Sequence, residues 1–202
     1  MNELKQTPTG PAHFWQGSLN IGFVFSVPGT REAKDRMPLA DASGRNLGTA
    51  LTDHLARSLP TVFPSADRYA YRITNAYDVP MSKALGDKVT EAAAAQILAP
   101  QNVSRVIREL EGVDLVLLCG SKAQLLAPAL AGRPLVLTSH TSYSGLNCRW
   151  PNSELGDEWL YRPGSERTAE RLRRWSFDVA QKVSKVFRGR HAKHLPIPGK
   201  RK

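Results

Sequence analysis

The chain predicts an α/β fold, a layered sandwich around a central four-stranded parallel sheet. Three observations carry that expectation. Four short apolar runs recur along the chain, helical segments fill the intervals between them, and three of the runs are almost continuously apolar. Strands covered on both faces by crossover helices have that composition, because neither face meets water.

The strands are expected at "IGFVFSV" (21–27), "YAYRIT" (69–74), "VDLVLLC" (113–119) and "PLVLTS" (134–139). Helices are expected at about 44–58, at 88–98 followed by 101–111, and at 121–130. The last long element is expected over 165–188, where Leu172, Trp175, Val179, Val183 and Val186 recur every three or four residues. That spacing gives one apolar stripe facing the body. Ser165 suits the N-cap and Glu166 the first turn. Gly189 and the Pro196/Pro198 pair are expected to end regular structure, so the chain reads as one domain over 1–188 with a flexible basic tail, 189–202.

Composition narrows the function classes. A chain of 202 residues with 41% hydrophobic content holds a sizeable core. Two cysteines, Cys119 and Cys148, cannot build a disulfide scaffold or a four-cysteine metal cluster, so no metal or cofactor is expected. The N-terminal stretch lacks the apolar core of a signal peptide, and no run approaches the ~18–20 apolar residues of a membrane span. A soluble, cytoplasmic, monomeric protein with no membrane partner is the default expectation. The formal net charge is +10, and its location matters more than its size. Residues 165–202 hold 12 Lys/Arg against 3 Asp/Glu, while the first 164 hold 16 against 15. A near-neutral body with a basic end suits a polyanion such as nucleic acid, or simply a solvated basic helix. Arg171, Arg174, Lys182 and Lys185 share a stripe beside the apolar one.

In an open parallel sheet, ligands bind outside the carboxyl ends of the strands. The unusual polar residues of this chain fall there: Pro28-Gly29-Thr30 after the first strand, Asn75 after the second, Gly120-Ser121-Lys122-Ala123 after the third, and His140, followed by Thr-Ser-Tyr-Ser-Gly of loop composition, after the fourth. Asparagine is a poor strand residue, and its amide needs both a donor and an acceptor partner. The Gly120–Ala123 turn lacks P-loop spacing, no G-x-S-x-G occurs, and His191-x-x-His194 has no nearby carboxylate or cysteine. His140 and Asp41 each have a bland alternative, a structural histidine at a strand end and a helix-cap acid.

Taken in order, "FVFSVPGTREAKDRMPLADASGRNL" (23–47), "YRITNAYDVP" (71–80), "GVDLVLLCGSKAQLL" (112–126) and "LVLTSHTSYSGLN" (135–147) resemble the uracil-DNA glycosylase superfamily. The resemblance covers roughly residues 20–147. It implies a three-layer αβα sandwich in which Ser26-Val27-Pro28-Gly29 matches the first motif, Asn75 the asparagine ending the second strand, and His140-Thr141-Ser142 the second catalytic motif. "ADASGRNL" is similar to the Gly-Asp-x-Ser segment of the branch whose catalytic acid lies outside the first motif, which places Asp41 as that acid. The chain departs from the family at Val27, where one branch carries glutamate, at Leu39, where several relatives stack an aromatic on uracil, and at Thr141, which replaces a proline. Two cysteines are too few for the iron–sulfur cluster of the nearest branches.

The resemblance implies a DNA glycosylase working in repair or in defence against phages. Asp41 would stabilise the sugar cation, His140 would donate to the departing base, and Asn75 would read the base edge. Ser26, Val27, Pro28, Gly29, Leu39 and Ser142 would line the base pocket. The base must be flipped out of the duplex. Tyr143, Leu146 and Arg149 are the candidates to fill the gap, and Lys122, Arg171 and Arg174 to hold phosphates. The aliphatic Leu39 and Val27 suggest a pocket for a bulkier base, a deaminated purine or a hypermodified phage cytosine, as well as uracil. Two alternatives stay open: a nucleic-acid-binding module on a catalytically dead fold, and a nucleoside or nucleotide N-glycosidase.

Overall fold

A two-residue strand, β1 (Phe14–Trp15), precedes four longer ones: β2 (Leu19–Phe25), β3 (Tyr71–Asn75), β4 (Leu115–Cys119) and β5 (Leu135–Thr138). The computed structural model describes residues 10–193, with side chains through Arg188. The sheet order is β1-β3-β2-β4-β5, with β1 antiparallel to β3 and every other pair parallel. The sheet is therefore five-stranded and mixed, not four-stranded and parallel. β1 escaped the sequence because two residues carry no periodicity. Phe14 pairs with Thr74 and Trp15 with Ile73, and the Trp15 indole N–H donates to the Tyr69 carbonyl at 2.7 Å.

A strand divides its side chains between two faces, and here each face has its own core. Phe23, Phe25, Tyr71, Ile73, Leu117 and Val136 point to one side. There they meet Leu47 of α2 (Ala42–Ala50), Leu51 and Leu55 of the π-helical turn that joins it to α3 (Ala56–Ser58), and Trp175, Val179 and Val183 of α9 (Gly164–Lys193). Val24, Val116 and Leu118 point to the other, against Ile97 of α4 (Ala94–Ile97), Val106 of α5 (Pro100–Glu109), Ala123 of α6 (Ser121–Gln124) and Leu126. Helices thus cover both faces, which is why β3 and β4 are buried along their whole length. The buried Arg72 in β3 fits because its guanidinium donates to the carbonyls of Gln16, Glu109 and Glu111, the last two at the end of α5.

Several element boundaries differ from expectation. The 88–98 helix shrinks to α4, and the 121–130 helix to α6 followed by turns. α9 continues through Gly189 to Lys193, because a helical glycine costs only about 1 kcal/mol and does not forbid continuation. Residues 194–202, including His194 and the Pro196/Pro198 pair, lie outside the described residues. The stretch after His140, expected as a loop, forms α7 (Tyr143–Arg149), followed by α8 (Asn152–Leu155). A short α1 (Thr30–Asp35) follows β2. Among the described residues, no helix is long and apolar enough to cross a membrane.

The strand order places a topological switch beside β2. The chain leaves β2 towards β3 and later returns past it to β4. Loops leaving β2 and β4 must diverge there, which opens a crevice at their carboxyl ends.

Candidate functional site

The crevice holds a cavity of about 720 Å³ at the ends of β2, β4 and β5. Ser26, Lys122, Ser139, His140, Ser142 and Arg149 are among its walls. The ring of His140 stands edge-on to Phe25, with centroids 5.2 Å apart at 84°. Desolvation lowers its pKa from 6.5 to about 4, so the imidazole is neutral at physiological pH. Its Nδ1 accepts the backbone N–H of Ser142 at 3.0 Å. A nitrogen that accepts carries no proton, so the neutral tautomer has its hydrogen on Nε2. Nε2–H is left as a donor.

The backbone around His140 is pinned on both sides. Ser142 caps α7, its hydroxyl accepting the Gly145 N–H at 3.1 Å. A Cβ on Gly145 would lie 2.5 Å from the His140 carbonyl oxygen, so only glycine lets the helix start this close. From the other side, the Thr141 hydroxyl donates to Ser43 O at 2.9 Å, and Asn46 Nδ2 donates to Thr141 O at 2.7 Å. These bonds tie the first turns of α2 to the His140 loop. Thr141 is fully buried, and its hydroxyl is the tie that a proline in that place could not make. From sequence, Thr141 stood out only as a departure from the family motif, and Asn46 did not stand out at all. The available signal for Asn46 was an amide next to Leu47 on the inward side of a helix.

Asn75 ends β3 in register with Phe25 of β2. Paired residues of parallel strands point to the same face, so the Asn75 side chain lies on the sheet face where Phe25 meets His140. The residue is 4% exposed, and its carbonyl accepts from Arg105 Nη2 at 2.9 Å. Its side-chain amide makes no hydrogen bond among the described residues and is not fully sealed from solvent, though it lies outside the walls of the His140 cavity. An almost buried amide with free donor and acceptor is costly unless something meets it.

The structure distributes the remaining candidates unevenly. Ser26 reaches the cavity, while Val27 packs towards the second core. Pro28 is buried, its carbonyl accepting from Met81 N, and the Gly29 N–H donates to Glu32. Pro28 thus braces the chain at Met81, and none of the three lines the cavity. Leu39 is a core residue at 5% exposure, not a pocket wall. Its φ of +54° is unusual for a branched side chain and costs about 1–2 kcal/mol. The turn packs directly on α2, where a Cβ on Gly44 would fall 1.7 Å from the Leu39 carbonyl oxygen, so only glycine lets the two meet.

Asp41 occupies the N-cap position of α2 without capping it. Its carboxylate is exposed, pairs with Arg45 at 3.4 Å, and lies outside the walls of the cavity. The backbone nevertheless brings it two residues from Ser43, which touches Thr141. Lys122, 4.0 Å from Glu91, and Arg149, beside the Trp150 ring, put positive charge at the mouth.

Two expectations about DNA contacts change. Leu146 is fully buried on the inner side of α7, because a helix there turns it into the core, so it cannot wedge into a base stack. Tyr143 remains half exposed at the first turn of α7, facing a second cavity of about 550 Å³. Arg171 is 4% exposed and donates to Trp150 O at 2.8 Å and Asn152 Oδ1 at 2.6 Å. Arg174 binds Glu170 and the carbonyls of Glu154 and Leu155. Both arginines hold the irregular α7–α8 segment to α9 and are not free for phosphate. Among the described residues, no cluster of three His, Cys, Asp or Glu side chains could hold a metal. Burial pushes the Cys119 thiol up, which makes it a core residue. No protein-family model matches the chain, and no curated protein matches it.

Proposed function

We propose that this chain is a DNA glycosylase of the uracil-DNA glycosylase kind, which takes up an extruded nucleotide and hydrolyses its N-glycosidic bond. The reading rests above all on Asn75, an almost buried amide with both functions free, on the same sheet face as a neutral, Nε2-protonated His140. An amide meets the polar edge of a base with donor and acceptor at once. A neutral imidazole donating through Nε2–H stabilises the negative charge that gathers on a departing base without itself losing a proton. One preorganised donor of that kind is worth about 3–4 kcal/mol.

Hydrolysis adds water across the bond, hydroxyl to the sugar carbon and a proton to the base. As the bond stretches, the sugar becomes cationic, and a carboxylate nearby favours that state. Asp41 takes this role in the proposal, its place at the start of α2 lying two residues from the contact with the His140 loop. The substrates are bases in DNA: uracil, a deaminated base, or a cytosine with a bulky modification. The cavity of about 720 Å³ beyond His140, walled by Ser139, Ser142 and Lys122, supports room for a polar substituent. Repair and anti-phage defence are the settings that such chemistry serves.

The test is release of free base and formation of abasic sites on duplexes carrying uracil, hypoxanthine, xanthine or glucosylated hydroxymethylcytosine, with His140→Ala as control. Absence of product on every substrate would overturn the reading. A second reading, a nucleic-acid-binding module without chemistry, is favoured by the exposure of Asp41 and its pairing with Arg45. Under it, Asp41→Asn leaves every measured property unchanged. Hydrolysis of free nucleosides with no dependence on salt would instead point to a small-molecule N-glycosidase.

A further inference from the structure

Outside the crevice, Phe177 is a large apolar side chain whose exposure folding does not explain. The inward stripe of α9 is Leu172, Trp175, Val179 and Val183, all buried. Phe177 stands off that stripe at 62% exposure. One exposed aromatic is ordinary on any surface. This one shares a cavity of about 360 Å³ with Arg149, Trp150, Arg173, Arg174 and Gln181, and with one acid, Asp178. Arg149 also lines the larger cavity of His140, and Lys182, paired with Asp178 at 2.6 Å, lines it too. The surface around Phe177 is thus continuous with the mouth of the crevice.

The neighbouring charges are mostly positive and reachable. Arg173 is held by Glu170 yet keeps 59% of its side chain exposed. Arg149 is exposed, with its guanidinium 5.3 Å from the centre of the Trp150 ring and no carboxylate partner among the described residues. An exposed ring flanked by guanidinium groups is the chemistry that binds an unpaired nucleotide, the base stacking on the ring and the phosphates meeting the cations. A duplex offers such a surface only sugar and phosphate, because its bases are already stacked on one another.

We propose that Phe177, with Arg149 and Arg173, forms a stacking platform for an unpaired base adjoining the nucleotide that enters the His140 cavity, so that the protein favours single-stranded or locally opened DNA over continuous duplex. The proposal uses the excision reading only to say which strand passes the crevice. Its test needs no excision.

Binding of the full chain to labelled oligothymidine strands of about 4–16 nucleotides, and to duplexes of the same lengths, is measured by fluorescence anisotropy. Phe177→Ala is expected to weaken the longer single strands about tenfold and the duplexes less than about twofold. Phe177→Trp is expected to restore affinity and to add fluorescence quenching, beyond that of the parent, when the single strand binds. Unchanged single-strand affinity in Phe177→Ala overturns the proposal. Equal weakening of both forms overturns it as well, and so does displacement of oligothymidine by polyglutamate at equal charge, which assigns the surface to acidic partners. The two readings fail separately. Loss of single-strand binding in Phe177→Ala, in a protein that releases no base from any DNA, keeps the platform and removes the excision. Base release with unchanged binding in Phe177→Ala does the reverse.

Discussion

Two polar stretches of this chain look alike on paper and are put to opposite use. His140-Thr141-Ser142 follows a strand, while Arg171, Arg173 and Arg174 crowd one turn of the long helix. In the first, the surrounding bonds settle the backbone and leave a functional atom unengaged: Ser142 N–H and Thr141 fix the loop, and Nε2–H of His140 stays available. In the second, the functional atoms are the ones engaged. Arg171 and Arg174 satisfy the carbonyls of Trp150, Glu154 and Leu155. Strand ends diverge at a switch point and leave space, whereas a helix packed against irregular chain meets unpaired carbonyls that its arginines must satisfy. Charge on a helix is therefore a poor guide to a binding face until the neighbouring segment is known.

The comparison breaks most readily at His140. His140→Ala is expected to lower the proposed base release about a hundred- to a thousandfold while the thermal transition stays cooperative. An unchanged rate would place the donor elsewhere. Arg171→Leu is the next largest, and it should act on stability alone. Stranding the Trp150 carbonyl and the Asn152 side chain costs about 2 kcal/mol, or roughly 4–8 °C in a thermal melt. Weaker DNA binding by a fully folded Arg171→Leu would return that arginine to the interface.

Thr141→Val removes the bond to Ser43 and is expected to cost about 1 kcal/mol by denaturant titration. It should also slow base release, because the tie sets where His140 stands. The pH dependence follows from burial of the same imidazole. His140 stays neutral in the folded chain down to about pH 4, while the unfolded chain takes up the proton near 6.5. Stability is full above pH 6.5 and falls as the pH drops from 6.5 towards 4. Comparing urea midpoints of the parent and His140→Gln across that range should flatten this part of the profile, and identical profiles would refute the burial argument. Asp41→Ala is the smallest effect. An exposed pair that does not cap its helix is worth less than about 0.5 kcal/mol in stability, so any large change in base release reports chemistry.

The apolar runs made four strands legible: burial on both faces shapes β2, β3 and β4, while β5 keeps its apolar run at the sheet edge with Leu137 exposed. Asn75 was legible as an oddity at a strand end, and His140 as a polar group closing an apolar run. β1 was not, since its two residues are a strand only because Thr74 and Ile73 are there to pair with them. Nor was α7, whose Tyr-Ser-Gly start reads as loop until Ser142 caps it and Gly145 lets it close on His140.

By itself, then, the order of residues determined an α/β architecture, the ends of the strands where polar groups gather, and the basic character of the last helix. Those follow from local rules of periodicity and burial that each segment obeys alone. Only the tertiary structure decided which polar atoms remain free: the amide of Asn75 and Nε2 of His140 on one side, the engaged guanidinium groups of Arg171 and Arg174 on the other. A hydrogen bond is a relation between two segments, and neither segment holds it in its own sequence.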